Sequence, residues 1–95
     1  MEVTDTMTLT VLTPEKTLLE CTVSRVSLPA SKGPFVVLRN HAPVISSLEE
    51  GDIVYTSQGK EGRIHVLSGF VEVNENRITV CAEVRDGLHS YCCGC

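Results

Sequence analysis

Tryptophan is absent, and two tyrosines and two phenylalanines complete the set of large aromatic rings in 95 residues. Platforms that bind single-stranded nucleic acid stack bases on such rings, and too few are present to build one. Clustered positive charge is missing as well. The eight basic residues, Lys16, Arg25, Lys32, Arg39, Lys60, Arg63, Arg77 and Arg85, are scattered through a chain of net charge −4. Nucleic-acid binders concentrate cations to release counterions from phosphates, so that partner class is set aside. Long hydrophobic runs are also lacking. Stretches such as Phe35-Val36-Val37-Leu38 fall far short of the roughly 20 residues of a membrane-spanning helix. Residues 1–6 carry Glu2 and Asp5 without a basic stretch, so no signal peptide is read there and a cytosolic-side location is expected. No glycine-rich phosphate-binding motif occurs.

What remains fits one small globular domain. Hydrophobic content is 42% and charged content 21%, a balance that disordered chains do not show. At this length folding buries only about 60–65% of the surface exposed by the unfolded chain. The core is therefore modest, and a partner can supply part of the stability.

The dominant periodicity is two. Met7, Leu9 and Val11 alternate with Thr6, Thr8 and Thr10. Thr13-Pro14-Glu15 breaks that strand, and 16–20 resumes as a short second one. Cys21 and Val23 then share one face while Val26 and Leu28 fall on the other, as at a β-bulge or a strand that changes sheets. Pro29 to Pro34 reads as a loop. The apolar run from Phe35 to Leu38 reads as a strand covered on both faces. Asn40 to Pro43 is a second loop, and Glu49-Glu50-Gly51-Asp52 a turn before a strand at Ile53. A glycine-flanked hairpin turn is expected over 58–62, followed by Ile64 and Val66 on one face. Phe70 to Val73 and Arg77 to Ala82 form a last hairpin around Asn74-Glu75-Asn76, with Ile78, Val80 and Ala82 inward. Eight or nine short strands without a helical stripe predict an all-β sandwich or barrel. The folded domain is expected over 1–85, followed by a flexible cysteine-rich tail over 86–95.

Five cysteines divide into two groups. Cys21 and Cys81 lie in alternating apolar segments and read as small buried hydrophobes. Cys92, Cys93 and Cys95 crowd the end, and with His89 they form a ligand set that zinc accepts. Their spacing argues against a stable site, because adjacent Cys92 and Cys93 cannot both reach one ion without a contorted backbone. A loose tail of reduced thiols is the stronger reading. Of the other histidines, His65 alternates with Ile64 and Val66 and points to solvent. His41 occupies a loop, where functional residues concentrate, yet no nucleophile and orienting carboxylate stand near it in sequence. Its expected role is a hydrogen bond to the loop backbone or contact with a partner. No catalytic residue and no cofactor are assigned.

A set of segments in fixed order carries a resemblance. They are Leu9-Thr10-Val11-Leu12-Thr13-Pro14-Glu15, Ser27-Leu28-Pro29, Gly33-x-Phe35-x-Val37-Leu38-x-Asn40-His41-Ala42-Pro43, Ser68-Gly69-Phe70-Val71-Glu72-Val73 and Arg77-Ile78-Thr79-Val80-x-Ala82-Glu83. From Thr8 to Glu83 the chain resembles the ε subunit of bacterial F-type ATP synthase. The resemblance implies an antiparallel β-sandwich of about ten short strands at the foot of the rotating central stalk. It further implies contact with the γ subunit and the c-ring, and a non-catalytic part in coupling proton translocation to ATP synthesis. By the same resemblance the chain lies peripherally on the cytoplasmic face of the bacterial inner membrane, touching the membrane only through the c-ring. The family usually continues into a C-terminal helical hairpin, which inhibits ATP hydrolysis and in some members binds ATP. This chain stops soon after Glu83 and resembles the short form, so neither property is expected of it.

Two loops are implied to face the c-ring and the foot of γ. One holds Lys32, Gly33 and Pro34, the other Arg39, Asn40, His41 and Ala42. Ser46 and Ser47 are expected to border the γ contact. The family often has an acidic residue at the position of Pro34, facing basic c-ring loops, and a proline at that of Arg39. These departures point either to a different charge on the c-ring loop or to a weaker contact there. A runner-up from another class is a free-standing metal- or redox-responsive binding module that uses the C-terminal cysteines.

Overall fold

Met7, Leu9 and Val11 turn inward and are 1%, 0% and 0% exposed, as their two-residue spacing requires. The structure, a computed structural model, describes residues 7–84. Among them every regular element is a strand: β1 Met7–Leu12, β2 Thr17–Val23, β3 Arg25–Leu28, β4 Phe35–Val37, β5 Val44–Leu48, β6 Gly51–Ser57, β7 Lys60–Val66, β8 Ser68–Asn74 and β9 Arg77–Glu83. They form a five-stranded sheet in the order β2-β1-β9-β8-β5 and a four-stranded sheet in the order β4-β3-β6-β7. The two sheets enclose one core, as the sequence reading of an all-β sandwich expects. Nine strands are described where about ten were expected. One neighbouring pair, β1 with β9, runs parallel in an otherwise antiparallel set.

The phase slip between Cys21 and Leu28 is a change of sheets. β2 ends at Val23 in the first sheet and β3 begins at Arg25 in the second. Ser24 makes the corner, its N–H donating to the Thr56 carbonyl at 2.9 Å. Val23 and Val26, both fully buried, thereby face the same core from opposite sheets. Such side chains contribute roughly 1.5–3 kcal/mol each relative to exposure.

The hairpins are tighter than the glycine spacing predicts. Between β6 and β7 the turn is Gln58-Gly59, with φ of 53° and 78°, and Ser57 pairs with Lys60. Between β8 and β9 it is Glu75-Asn76, with φ of 50° and 62°. Positive φ at both central residues is the turn that matches strand twist. Gly62 lies inside β7, opposite Tyr55.

Three expectations need correction. The run from Phe35 to Leu38 is not covered on both faces. β4 is the edge of its sheet, Val37 alone of the four is fully buried, and Val36 and Leu38 are 37% and 53% exposed. A continuous apolar run marks a central strand only when layers cover both sides, and here one side faces outward. Strand β5 was not anticipated, because Ser46 takes an inward position between Val44 and Leu48 and breaks the apolar alternation. Cys81 is half-buried on the outer face, out of phase with Ile78, Val80 and Ala82. Cys21 does pack against the core, though only partly buried.

Candidate protein-interaction site

The two loops singled out from sequence converge beside β5. The first leaves β3 at Pro29 and runs antiparallel along the end of β5. Ser31 N–H donates to Ser47 C=O at 2.9 Å and Glu49 N–H to Pro29 C=O at 2.8 Å, closing an Ala30–Leu48 bridge. The chain then turns back, with Gly33 N–H donating to Ala30 C=O at 3.0 Å. Gly33 adopts φ of 126°, a region that side chains disfavour. The Ser47 hydroxyl donates to the Ser31 hydroxyl at 2.9 Å, and that of Ser46 to Ser47 C=O at 3.1 Å.

The second loop is fastened at Asn40. Its φ of 65° is one that asparagine tolerates, and its N–H donates to Asn76 Oδ1 at 2.7 Å. Asn76 Nδ2 donates in return to Asn40 Oδ1 at 3.3 Å. Asn76 C=O also accepts from Thr8 N–H at 3.0 Å, so one turn residue ties the loop to both β1 and the β8–β9 hairpin. Next to it, His41 N–H donates to Leu38 C=O at 3.1 Å. His41 Nδ1 lies 2.7 Å from Ala42 C=O. A carbonyl only accepts, so Nδ1 carries the proton. The ring meets that of Phe35 at a centroid distance of 6.1 Å and a tilt of 36°.

Between these loops and β5 lies an open groove of about 590 Å³. Of the residues expected to form the site, Lys32, Gly33, His41, Ser46 and Ser47 line it. Pro34, Arg39, Asn40 and Ala42 do not, and Asn40 instead faces the far hairpin. Phe35, Val44 and Ile45 complete the apolar part of the lining, and sequence reasoning missed all three as site residues. Phe35 was counted as core, and Ile45 was hidden with its unrecognised strand. Among the described residues its lining holds one lysine, one histidine and no carboxylate.

A second polar constellation stands on the outer face of the other sheet. His65 is directly opposite Asp52 across β6 and β7, with Nδ1 at 2.8 Å from Asp52 Oδ1 and Nε2 at 3.3 Å from Glu50 Oε2. Arg63 reaches Asp52 at 3.2 Å and Glu61 at 3.5 Å. The hydrogen bond to Asp52, then that to Glu50, holds the imidazole above its ordinary value of 6.5, with desolvation opposing. The hydrogen bond from His65 holds the Asp52 carboxyl below 3.8; desolvation opposes this and Arg63 assists. His65 is exposed, as its alternation predicts. Among the described residues no group of three or more His, Cys, Asp or Glu side chains is arranged to hold a metal. His89, Cys92, Cys93 and Cys95 lie outside the described residues, as does the tail over 86–95.

Comparison with known proteins places the whole sandwich. The family model of the ATP synthase delta/epsilon chain β-sandwich domain matches residues 6–85. The ATP synthase epsilon chain of Symbiobacterium thermophilum is 42% identical over 81 residues, covering 84% of this chain and 58% of the relative. That of Desulfitobacterium hafniense is 43% identical over 81 residues, covering 85% and 61%. The chain thus spans about three fifths of the length of these relatives. Two solved assemblies contain the same fold at 19% identity. One is the OSCP/F1/c-ring of the Euglena gracilis mitochondrial ATP synthase, with a TM-score of 0.77 over 86% of this chain and 53% of that one. The other is the central stalk/c-ring of the Tetrahymena thermophila mitochondrial ATP synthase, with a TM-score of 0.68 over 81% and 63%.

Proposed function

The chain belongs to the ATP synthase delta/epsilon β-sandwich family, and from that premise we propose that it is a non-catalytic central-stalk subunit of an F-type ATP synthase. In this role it binds the γ subunit and the c-ring, and it helps couple proton translocation to ATP synthesis on the cytoplasmic face of a bacterial membrane. The observation that carries the reading is the family match, which extends over the entire described sandwich. The groove supports it, because loops distant in sequence build a fixed surface by backbone hydrogen bonds and one asparagine pair. Pre-organised loops lose little entropy on docking, which suits a subunit that must transmit force without yielding.

Nothing comparable favours the metal- or redox-responsive alternative. The test is titration of the purified full chain with purified γ, and separately with detergent-solubilised c-ring, followed by gel filtration. An equimolar complex with γ is expected. A folded chain that elutes alone from both mixtures refutes the role.

A further inference from the structure

Strand β5 ends the five-stranded sheet, and among the described residues no strand pairs with its outer edge. In an antiparallel pair, alternate residues direct their N–H and C=O toward the partner and away from it. At its C-terminal end the outward edge of β5 is occupied by the bonds from Ser31 to Ser47 and from Glu49 to Pro29. Ser47 and Glu49 therefore turn their backbone groups outward, and by the same period so does Ile45. Its N–H and C=O have no backbone partner among the described residues and open into the groove. The Ile45 side chain is 71% exposed, above Phe70 at 50%, Leu38 at 53% and Val36 at 37%.

Proteins blunt sheet edges with charges, prolines, bulges or brevity. The other edges here follow that rule. β7 carries Lys60, Glu61, Arg63 and His65; β2 carries Glu20; and β4 is three residues long. β5 reads Val44-Ile45-Ser46-Ser47-Leu48, with no charge or proline inside the strand, and Pro43 bounds it at its N-terminal end. The short Pro29–Ser31 segment protects only its far end and leaves a gap beside Ile45.

We infer that this gap receives an extended polypeptide segment bearing a carboxylate, which adds as a further strand to β5. Main-chain bonds to Ile45 supply the register, and side-chain contacts with Phe35 and Val44 supply apolar area, as in other strand additions. Lys32 brings a positive charge to the groove, and among the described residues no acidic side chain lines it, although the chain as a whole carries net charge −4. That local sign selects an acidic segment. A second copy pairing edge to edge would bring two Lys32 ammonium groups together and is disfavoured. The inference rests on the proposed stalk role, in which γ supplies the segment: a single groove suits one chain better than a ring of repeated loops.

The test compares γ binding by the full wild-type chain with that of Ile45→Pro, Ile45→Thr and Lys32→Glu. Proline at 45 removes an N–H that points away from β8, so the ladder to β8 survives. Threonine keeps that N–H. Ile45→Pro and Lys32→Glu should each weaken γ binding about tenfold or more, and Ile45→Thr less than about threefold. Hydrogen exchange on the wild-type chain gives a readout independent of any variant's folding: the Ile45 amide should gain protection when γ is added. Unchanged affinity of a folded Ile45→Pro, or an Ile45 amide that exchanges equally fast with γ bound, overturns the groove inference and leaves the stalk role standing. Failure of the wild-type chain to bind either γ or the c-ring overturns both, and binding to the c-ring alone overturns γ as the occupant. A wild-type homodimer dissolved by Ile45→Pro, or loss of c-ring rather than γ binding, overturns γ as the occupant.

Discussion

Gly62→Ala probes the pair at the centre of the β6–β7 hairpin. Tyr55 opposes Gly62 directly and is 2% exposed. A Cβ added at Gly62 would lie 2.7 Å from Tyr55 Cε2 and closer still to Cζ and Oη. The ring is packed in the core, so relief requires moving other core side chains. Gly62 is not among the residues with positive φ, and its backbone suits any residue. The substitution thus tests packing alone. Overpacking of this kind costs about 1–3 kcal/mol, against a gain of about 0.4–1 kcal/mol from a less flexible unfolded chain. A net loss of roughly 1.5 kcal/mol should lower the melting temperature by about 6–12 °C in a domain of this size. Tyr55→Leu removes all three colliding atoms, so Gly62→Ala in that background should be neutral or stabilising. Urea unfolding of the four proteins closes a double-mutant cycle with an expected coupling of about 1.5–3 kcal/mol. Additivity within about 0.5 kcal/mol refutes the argument, as does a Gly62→Ala chain as stable as wild type.

Three further outcomes are expected. Asn76→Gly preserves the positive φ but removes the tie to Asn40; it should cost about 1 kcal/mol and accelerate hydrogen exchange at the Asn40 amide, which an unchanged exchange rate would contradict. Because the folded pKa of His65 is raised, its pairs contribute below its unfolded value and fade as pH rises through the folded one. Because that of Asp52 is lowered, its pairs contribute above its unfolded value and fade as pH falls. His65→Gln should therefore flatten the alkaline limb of a melting-temperature profile, and the acid limb less, and an unchanged alkaline limb counts against the cluster. His41→Ala loses both the Phe35 ring contact and the bond to Ala42, at a cost of about 1–2 kcal/mol; His41→Phe keeps a ring and should lose about half as much in the same thermal melts.

Local pattern and long-range pairing account for what the sequence disclosed and what it did not. β1, β7 and β9 were legible because inward positions such as Leu9, Ile64 and Val80 are all apolar, and a two-residue period survives any tertiary context. The change of sheets at Ser24 was legible for the same reason: a phase slip has few physical causes. β5 was not, since Ser46 sits inward where its hydroxyl finds Ser47 C=O nearby. The run at β4 misled because an edge strand can carry apolar side chains on a face that no layer covers. The parallel pairing of β1 with β9 leaves no local trace. For the site, glycine, proline and asparagine punctuation located both loops. Their meeting across β5 was not visible, and the Asn40–Asn76 tie joins residues 36 apart in sequence.

His41 and three serines bordering one groove invite a nucleophilic reading, and the hydrogen bonds decide against it. Activation of a serine needs a base within reach of its hydroxyl and an acidic group that orients the base. Here the Ser46 hydroxyl is committed to Ser47 C=O and that of Ser47 to Ser31; His41 bonds to none of them. Its Nδ1 is oriented by the neutral carbonyl of Ala42, which cannot stabilise an imidazolium as a carboxylate does, and among the described residues no Asp or Glu lines the groove. The same bonds have a different consequence for binding. They fix the loop at Ser31 to β5, and the ring contact sets His41 beside Phe35, while the Ile45 edge stays open between them. A surface whose walls are already ordered, and which among the described residues leaves a strand edge unpaired, gains most from a partner that arrives extended.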